Sequence, residues 1–126
     1  MDASDGRESS LDVLALAPDL FFASRVRSLS EAAGRSVQVV DSLVRLEAEL
    51  TAHRPSLVLI DLGARGIDAP AAVRLAKQAG ALQVIAFGPH KDLDARAAAL
   101  AAGADRWLSN QNLLMTFASL LGTASA

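Results

Sequence analysis

Short apolar runs alternate with longer amphipathic runs along most of the chain, and this pattern predicts five βα units built around a parallel sheet. We label the predicted strands β1 to β5; they span residues 11–17, 36–40, 56–62, 82–87 and 105–108. The predicted helices, α1 to α5, span residues 19–33, 43–53, 69–79, 92–102 and 112–121. Gly34, Gly80 and Gly103 directly follow three of these helices, where a left-handed residue commonly ends a helix.

The apolar spacing also predicts how the elements pack. Residues 57–60 of β3 are all apolar, which indicates a central strand covered on both faces, whereas β2 contains Ser36 and Gln38 and suits a sheet edge. The predicted strand order is therefore 2-1-3-4-5, with helices on both faces. Two helices carry apolar stripes at three- and four-residue steps that should face the sheet: Phe22, Val26, Leu29 and Ala33 in α1, and Leu113, Phe117, Leu120 and Leu121 in α5.

The size and composition of the chain fit one α/β domain. The chain has 126 residues, of which 52% are hydrophobic, and a chain of this size buries about two-thirds of its extended surface on folding. We expect the domain to span residues 11–122. A flexible N-terminal tail is expected over 1–10 and a short C-terminal tail over 123–126.

Charge and composition narrow the classes of partner and site. The formal net charge is −2, from 12 basic and 14 acidic residues, and without clustered Lys and Arg we expect no nucleic-acid or membrane binding. The absence of cysteine and the presence of only two histidines exclude a thiolate or histidine-only metal site. Residues 1–10 lack the features of a signal peptide, and no apolar run approaches the ~20 residues that span a bilayer. We therefore expect a cytoplasmic protein.

In an open parallel sheet of this order, ligands bind at the carboxyl ends of the strands. Among the residues predicted at those ends, only Asp61 is ionised at neutral pH. Its carboxylate either faces a ligand or hydrogen-bonds the amides of the loop that follows. Histidine is a residue type that often transfers protons, but His90 has no evident nucleophile beside it, so a loop histidine is the alternative. The residues after the strands are Ala17 and Pro18, Asp61, Gly88 to His90, and Ser109 to Gln111.

Three segments carry a resemblance to a known family. Residues 61–69, Asp-Leu-Gly-Ala-Arg-Gly-Ile-Asp-Ala, match in register the family segment Asp-Leu-x-x-Pro-x-Met-Asp-Gly, which begins at a phosphoacceptor aspartate. Residues 31–34 and 101–105 are also typical of that family. Over residues 11–121 the chain resembles the receiver domain of bacterial response regulators. The resemblance implies a flavodoxin-like (βα)5 receiver fold, with Asp61 at the phosphoacceptor position and Trp107 at the family's aromatic switch position.

The same resemblance indicates that the phosphorylation site is degenerate. Receivers of this family bind Mg²⁺ through an acidic pair at the end of β1, and Ala17 and Pro18 stand in those places. Asp19 lies one position further on, where it either replaces a metal ligand or begins α1. A hydroxyl residue at the end of β4 is replaced by Gly88, and the lysine before a cis-proline at the end of β5 is replaced by Asn110.

These replacements remove groups that would stabilise a transferring phosphoryl group. We therefore expect no metal, no resident cofactor and no enzymatic activity. Arg65 could pair with Asp61 and supply the missing positive charge; a solvated loop arginine is the alternative.

Three functions are compatible with this sequence. The leading hypothesis is a pseudo-receiver that signals through phosphorylation-independent contacts with a protein, or with a second copy of itself, on the α4-β5-α5 face. Trp107 would then anchor the partner, although a half-buried packing residue would look the same. The second hypothesis is a phosphorylatable single-domain response regulator that uses Asp61. The third is a small-ligand-binding domain whose crevice surrounds Asp61, Gly63, Gly66 and Gly88, although neither a dinucleotide-binding turn nor a P-loop is present.

Overall fold

The computed structural model describes residues 11–124, which form one parallel sheet in the order β2-β1-β3-β4-β5 with five helices around it. The predicted fold and strand order are confirmed. The strands are β1 Val13–Leu16, β2 Val37–Val40, β3 Leu57–Asp61, β4 Gln83–Gly88 and β5 Arg106–Ser109. The helices are α1 Leu20–Ala32, α2 Leu43–Ala52, α3 Ala69–Gln78, α4 Leu93–Ala101 and α5 Asn110–Ala124.

The central strand β3 divides the core into two layers because its side chains alternate between the faces of the sheet. Leu57 and Leu59 pack with α1 and α5, whereas Val58 and Ile60 pack with α2, α3 and α4. The first four residues of β3 are buried, and its last residue, Asp61, is half-buried. The strand therefore delivers one carboxylate to the carboxyl edge of the sheet.

The predicted stripe of α5 is confirmed, since its four apolar residues are all buried. The predicted stripe of α1 is correct for Phe22 and Val26, which are buried, and Leu29 packs at the edge of the core. Ala33 is exposed because the helix ends at Ala32. Ser30, one helical turn after Val26, takes the buried position instead.

Side-chain caps fix the points at which the chain leaves the sheet and enters a helix. Asp19, Ser42, Asp68 and Asp92 each accept a hydrogen bond from the backbone N–H three residues on, which satisfies a donor that the helix leaves unpaired. The helix-ending glycines behave as predicted, with φ of 73° at Gly34, 88° at Gly80 and 115° at Gly103. The caps therefore hold the loops at the carboxyl edge of the sheet, and the glycines turn the chain at the opposite edge.

The last helix differs from its predicted limits. It begins at Asn110, not Asn112, because the hydroxyl of Ser109 accepts a hydrogen bond from the Asn112 N–H at 3.1 Å and caps the helix directly after β5. It continues to Ala124, beyond the predicted domain end at 122. The predicted N-terminal tail over 1–10 and the last two residues lie outside the described part. Within residues 11–124, none of the helices combines the length and apolarity needed to cross a bilayer.

Candidate functional site

A cleft of about 390 Å³ opens at the carboxyl ends of the strands, where the sequence placed the candidate site. The start of α1, the loop after β3, the end of β4 and the start of α5 form its walls. Asp61 and Asp19 both line it, so the cleft brings together two carboxylates from neighbouring strand ends. The lining residues are Pro18, Asp19, Phe22, Asp61, Gly63, Ala64, Arg65, Phe87, Pro89 and Asn110.

Asp61 is held by the loop that follows β3. Its Oδ1 accepts a hydrogen bond from the Gly63 N–H at 2.8 Å, and a Cβ on Gly63 would lie 3.3 Å from the same oxygen. Partial burial raises the pKa of Asp61 above 3.8, its ordinary value; the Gly63 hydrogen bond opposes this rise and the negative charge of Asp19 adds to it. The carboxylate therefore bonds a loop amide and also faces the cleft.

Asp19 caps α1, which is one of the two roles that the sequence left open. Its Oδ1 accepts a hydrogen bond from the Phe22 N–H at 3.0 Å and caps α1, and the same residue lines the cleft opposite Asp61. Among residues 11–124, no three His, Cys, Asp or Glu side chains are grouped so that they could hold a metal ion. The residues of this cleft do not fit the three-carboxylate Mg²⁺ site that the family resemblance implies.

Gly88, at the position where the resemblance implies a hydroxyl, lies at the buried end of β4. A Cβ on Gly88 would lie 3.2 Å from the Cβ of Leu62, so a larger side chain would press against Leu62. Ala17 is also buried and does not line the cleft, whereas Pro18 does. Sequence reasoning missed Leu62; the only signal was a glycine where the family has a side chain.

Arg65 and His90, the two other polar loop residues that the sequence singled out near Asp61, do not pair with it. Arg65 is exposed on the rim of the cleft, and within the described residues it forms no ion pair with Asp61; the hypothesis of such a pair is wrong, and the loop amide takes that role. His90 is exposed in the turn after β4 and is not part of the cleft lining. Asn110 is exposed at the start of α5 and lines the cleft.

An aromatic pair forms one wall of the cleft and was not anticipated as part of the site. The rings of Phe22 and Phe87 stack with centroids 4.7 Å apart and planes inclined by 17°. Sequence patterns assigned Phe22 to the buried stripe of α1 and Phe87 to the end of β4, but they could not indicate that the two rings meet. The carboxylates of Asp19 and Asp61 thus share the cleft with a rigid apolar wall.

Trp107 lies on the edge strand β5, away from the cleft. Its ring is half-buried against the core layer of α2, α3 and α4, and the guanidinium carbon of Arg96 in α4 lies 4.7 Å from the ring centroid. The indole Nε1 is buried without a hydrogen-bond partner in the described part of the chain. The ring is therefore packed on the core and partly exposed, and the Arg96 guanidinium of α4 lies over it.

Solved structures with the same architecture are receiver domains. The receiver domain of the TMAO respiratory system response regulator TorR superposes with a TM-score of 0.77 at 18% identity, and the match covers 90% of this chain and 98% of that receiver domain. The NtrX receiver domain from Brucella abortus gives 0.74 at 19%, covering 89% and 99%. A CheY-like receiver domain protein from Methanospirillum hungatei JF-1 gives 0.76 at 17%, covering 93% and 98%. The chain has the fold of a response-regulator receiver domain.

Sequence comparison adds one relative. No family model matches the chain. A 76.5 kDa protein from Thiocystis violacea, named as an uncharacterized protein in the phbC 3' region, is 32% identical over 99 residues. That match covers 76% of this chain but 14% of the relative, so the chain corresponds to a small part of a much longer protein.

Proposed function

We propose that this receiver fold serves as a pseudo-receiver, a non-enzymatic signalling module that acts by protein–protein contact and not by phosphorylation of Asp61. The supporting observation is the content of the cleft. Two carboxylates, Asp19 and Asp61, line it, and Gly88 is packed against Leu62 at the hydroxyl position. Phosphoryl transfer depends on cations that neutralise the charge of the transferring group. Here the ends of β1 and β5 offer Pro18 and Asn110, which carry no charge, and Arg65, the cation among the lining residues, is exposed on the rim of the cleft and forms no ion pair with Asp61.

The contact surface in this proposal is the α4-β5-α5 face. Ala99 is the only buried residue of α4. Two leucines of the same helix are exposed, Leu93 by 63% and Leu100 by 41%. Met115 of α5 is 72% exposed. Exposed apolar side chains on this face favour an interaction site, and the stacked pair of Arg96 and Trp107 supplies two residue types that are enriched among binding hot spots.

A capture experiment with matched variants tests the proposal. The wild-type chain, Trp107→Ala and Asp61→Asn would be immobilised and exposed to a lysate of the source organism, with and without Mg²⁺ and acetyl phosphate. We expect one set of proteins to be captured by the wild type and by Asp61→Asn under both conditions, and to be lost with Trp107→Ala. Loss with Asp61→Asn and retention with Trp107→Ala would show that the cleft is the functional site, and the proposal would then be wrong.

Direct phosphorylation is the second test. We expect millimolar Mg²⁺ with acetyl phosphate to leave the mass of the intact protein and the fluorescence of Trp107 unchanged. One observation favours the opposite outcome, because Asp19 and Asp61 line the same cleft and two carboxylates can share a cation. Stoichiometric labelling that requires Mg²⁺ and is absent from Asp61→Asn would show that this domain is a phosphorylatable receiver that uses Asp61.

A further inference from the structure

A second groove, of about 240 Å³, lies at the β2 edge of the sheet, away from the α4-β5-α5 face. Its walls come from α1, the end of β2 and the start of α2. Leu20, Val39 and Val40 give it an apolar floor and wall, and Arg27, Asp41 and Arg45 are its charged lining residues. The groove is independent of the surface that we assign to the proposed function.

Large apolar side chains are exposed on the two helices that border this groove. Leu20 is 85% exposed and Phe21 is 68% exposed at the start of α1, and Val44, next to the groove residue Arg45, is 78% exposed. A helix that packs on a sheet normally turns such residues inward. Leu20 lines the groove itself, and exposed apolar side chains beside a groove favour a surface that another molecule covers.

The charges of the groove indicate what covers it. Two guanidinium groups, those of Arg27 and Arg45, stand against one carboxylate, that of Asp41, and within residues 11–124 neither arginine side chain has an ion-pair partner. The groove therefore has an excess of one positive charge. An occupant with acidic groups beside its apolar residues would complement it, whereas a basic occupant would be repelled.

Two other occupants fit less well. In a symmetric dimer each groove would meet its own copy, which would bring Arg27 and Arg45 towards the same two residues of the partner. Proteins that bind a membrane surface usually present a cluster of roughly 4 to 8 basic residues. Only two basic residues line this groove, which is too few for such a surface. A partner protein with acidic residues avoids both difficulties.

We propose that the groove between α1 and α2 binds an amphipathic helix of a partner protein, with apolar residues seated against Leu20 and Val39 and acidic residues paired with Arg27 and Arg45. Helices that bind in grooves present apolar anchors at i, i+4 and i+7, and charged neighbours on either side of that stripe fix their orientation. The side chains of the groove come from two helices and from the end of a four-residue edge strand. Such a short strand offers little edge for a partner strand.

Two synthetic helical peptides of about 18 residues test this inference. Both carry Leu at i, i+4 and i+7; one carries Glu at the flanking positions and the other carries Lys. Binding to the full chain would be followed by amide chemical shifts. We expect the Glu peptide to bind and to shift amides of residues 20–27 and 39–45, with affinity that falls as salt is raised. The Lys peptide should not bind.

Matched variants separate this groove from the other face. Leu20→Ser should weaken binding of the Glu peptide by about tenfold, and Leu93→Ser, which removes a comparably exposed leucine from α4, should leave it unchanged. The double variant Arg27→Glu/Arg45→Glu should bind the Lys peptide in preference to the Glu peptide. Each of these sites is exposed or lies on the groove, so the fold should be retained, which far-ultraviolet circular dichroism would check.

The inference is overturned by any of four results. These are equal binding of both peptides, binding of neither, shifts confined to the α4-β5-α5 face, or no reversal of preference in the double variant. Self-association through the groove, measured by sedimentation, would make a second copy the occupant, and binding to anionic vesicles would make it a membrane. Failure of the Trp107→Ala capture experiment would leave the groove result unaffected, so the two proposals stand or fall separately.

Discussion

The Cβ of Leu62 lies 3.2 Å from the position that a Cβ on Gly88 would occupy. The Leu62 N–H donates to the carbonyl of Phe87 at 2.8 Å, which fixes Leu62 beside the end of β4. A side chain at the position where the family resemblance implies a hydroxyl would therefore be crowded by Leu62. Restoring that hydroxyl would require Leu62 to move.

We predict that Gly88→Thr destabilises the protein by about 1–3 kcal/mol, because the added atoms overpack a buried site. The free energy of unfolding would be measured by urea denaturation. In a Leu62→Ala background the same substitution should cost less, since the opposing side chain has been removed. Equal costs in the two backgrounds would mean that the contact between Leu62 and position 88 does not govern this site.

The second prediction concerns the carboxylate of Asp61. Its raised pKa means that the folded protein binds a proton more tightly than the unfolded chain does. As the pH rises from the ordinary value of 3.8 through the folded pKa, the wild type should therefore lose stability relative to Asp61→Asn. Because the carboxylate is partly exposed to screening solvent, the relative loss should be no more than about 1 kcal/mol.

Urea denaturation of both proteins at several pH values between acid and neutral measures this difference. Asparagine keeps an oxygen that can accept the Gly63 N–H, so the fold should be retained in the variant. Asp68→Asn is the control, since that residue caps α3 from an exposed position. If the wild type instead loses stability relative to Asp61→Asn as the pH falls, the assignment of a raised pKa to Asp61 is wrong.

The third prediction uses the stacking of Arg96 on Trp107. Arg96→Met removes the cation above the ring and should lower the free energy of unfolding by about 0.5–1 kcal/mol. The emission of Trp107, the only tryptophan, should shift to longer wavelength as water reaches the indole. Arg106→Met is the control, because that exposed arginine adjoins Trp107 in β5 and is not the residue stacked on its ring. Identical spectra for wild type and Arg96→Met would refute the stacking.

The sequence correctly predicts those features of the fold that depend on a single strand or helix. The run of four apolar residues before Asp61 fixes a buried strand with one carboxylate at its end, and the periodicity of α5 fixes the face that it buries. Contacts between elements were not predictable in this way. The stack of Phe22 on Phe87 joins residues 65 positions apart (87 − 22), and a hydrophobic pattern reports that both are buried but not that they meet. Arg65 lies in a loop whose backbone course no periodicity describes, so the sequence left its pairing open.

The last prediction concerns an ion pair at the starts of β4 and β5, at the end of the sheet away from the cleft. Asp105 Oδ2 accepts the Val84 N–H at 2.7 Å, and its two oxygens lie 2.9 and 3.2 Å from Lys77 Nζ. The Asp105 N–H donates in turn to the Val84 carbonyl at 2.8 Å. One carboxylate therefore joins the start of β5 to β4 and to α3.

We predict that Asp105→Ala is more destabilising than Lys77→Ala, although both remove the same ion pair. The alanine at 105 also deprives the partly buried Val84 N–H of its acceptor, at a cost of about 1–3 kcal/mol. Loss of the half-exposed lysine costs about 1 kcal/mol at most. Asp105→Asn, which keeps an acceptor, should fall between them.

High salt should erase the effect of Lys77→Ala and preserve that of Asp105→Ala, because screening weakens the charge pair and not the hydrogen bond to Val84. Urea denaturation at two salt concentrations measures both; equal losses in Lys77→Ala and Asp105→Ala would show that the charge pair alone matters.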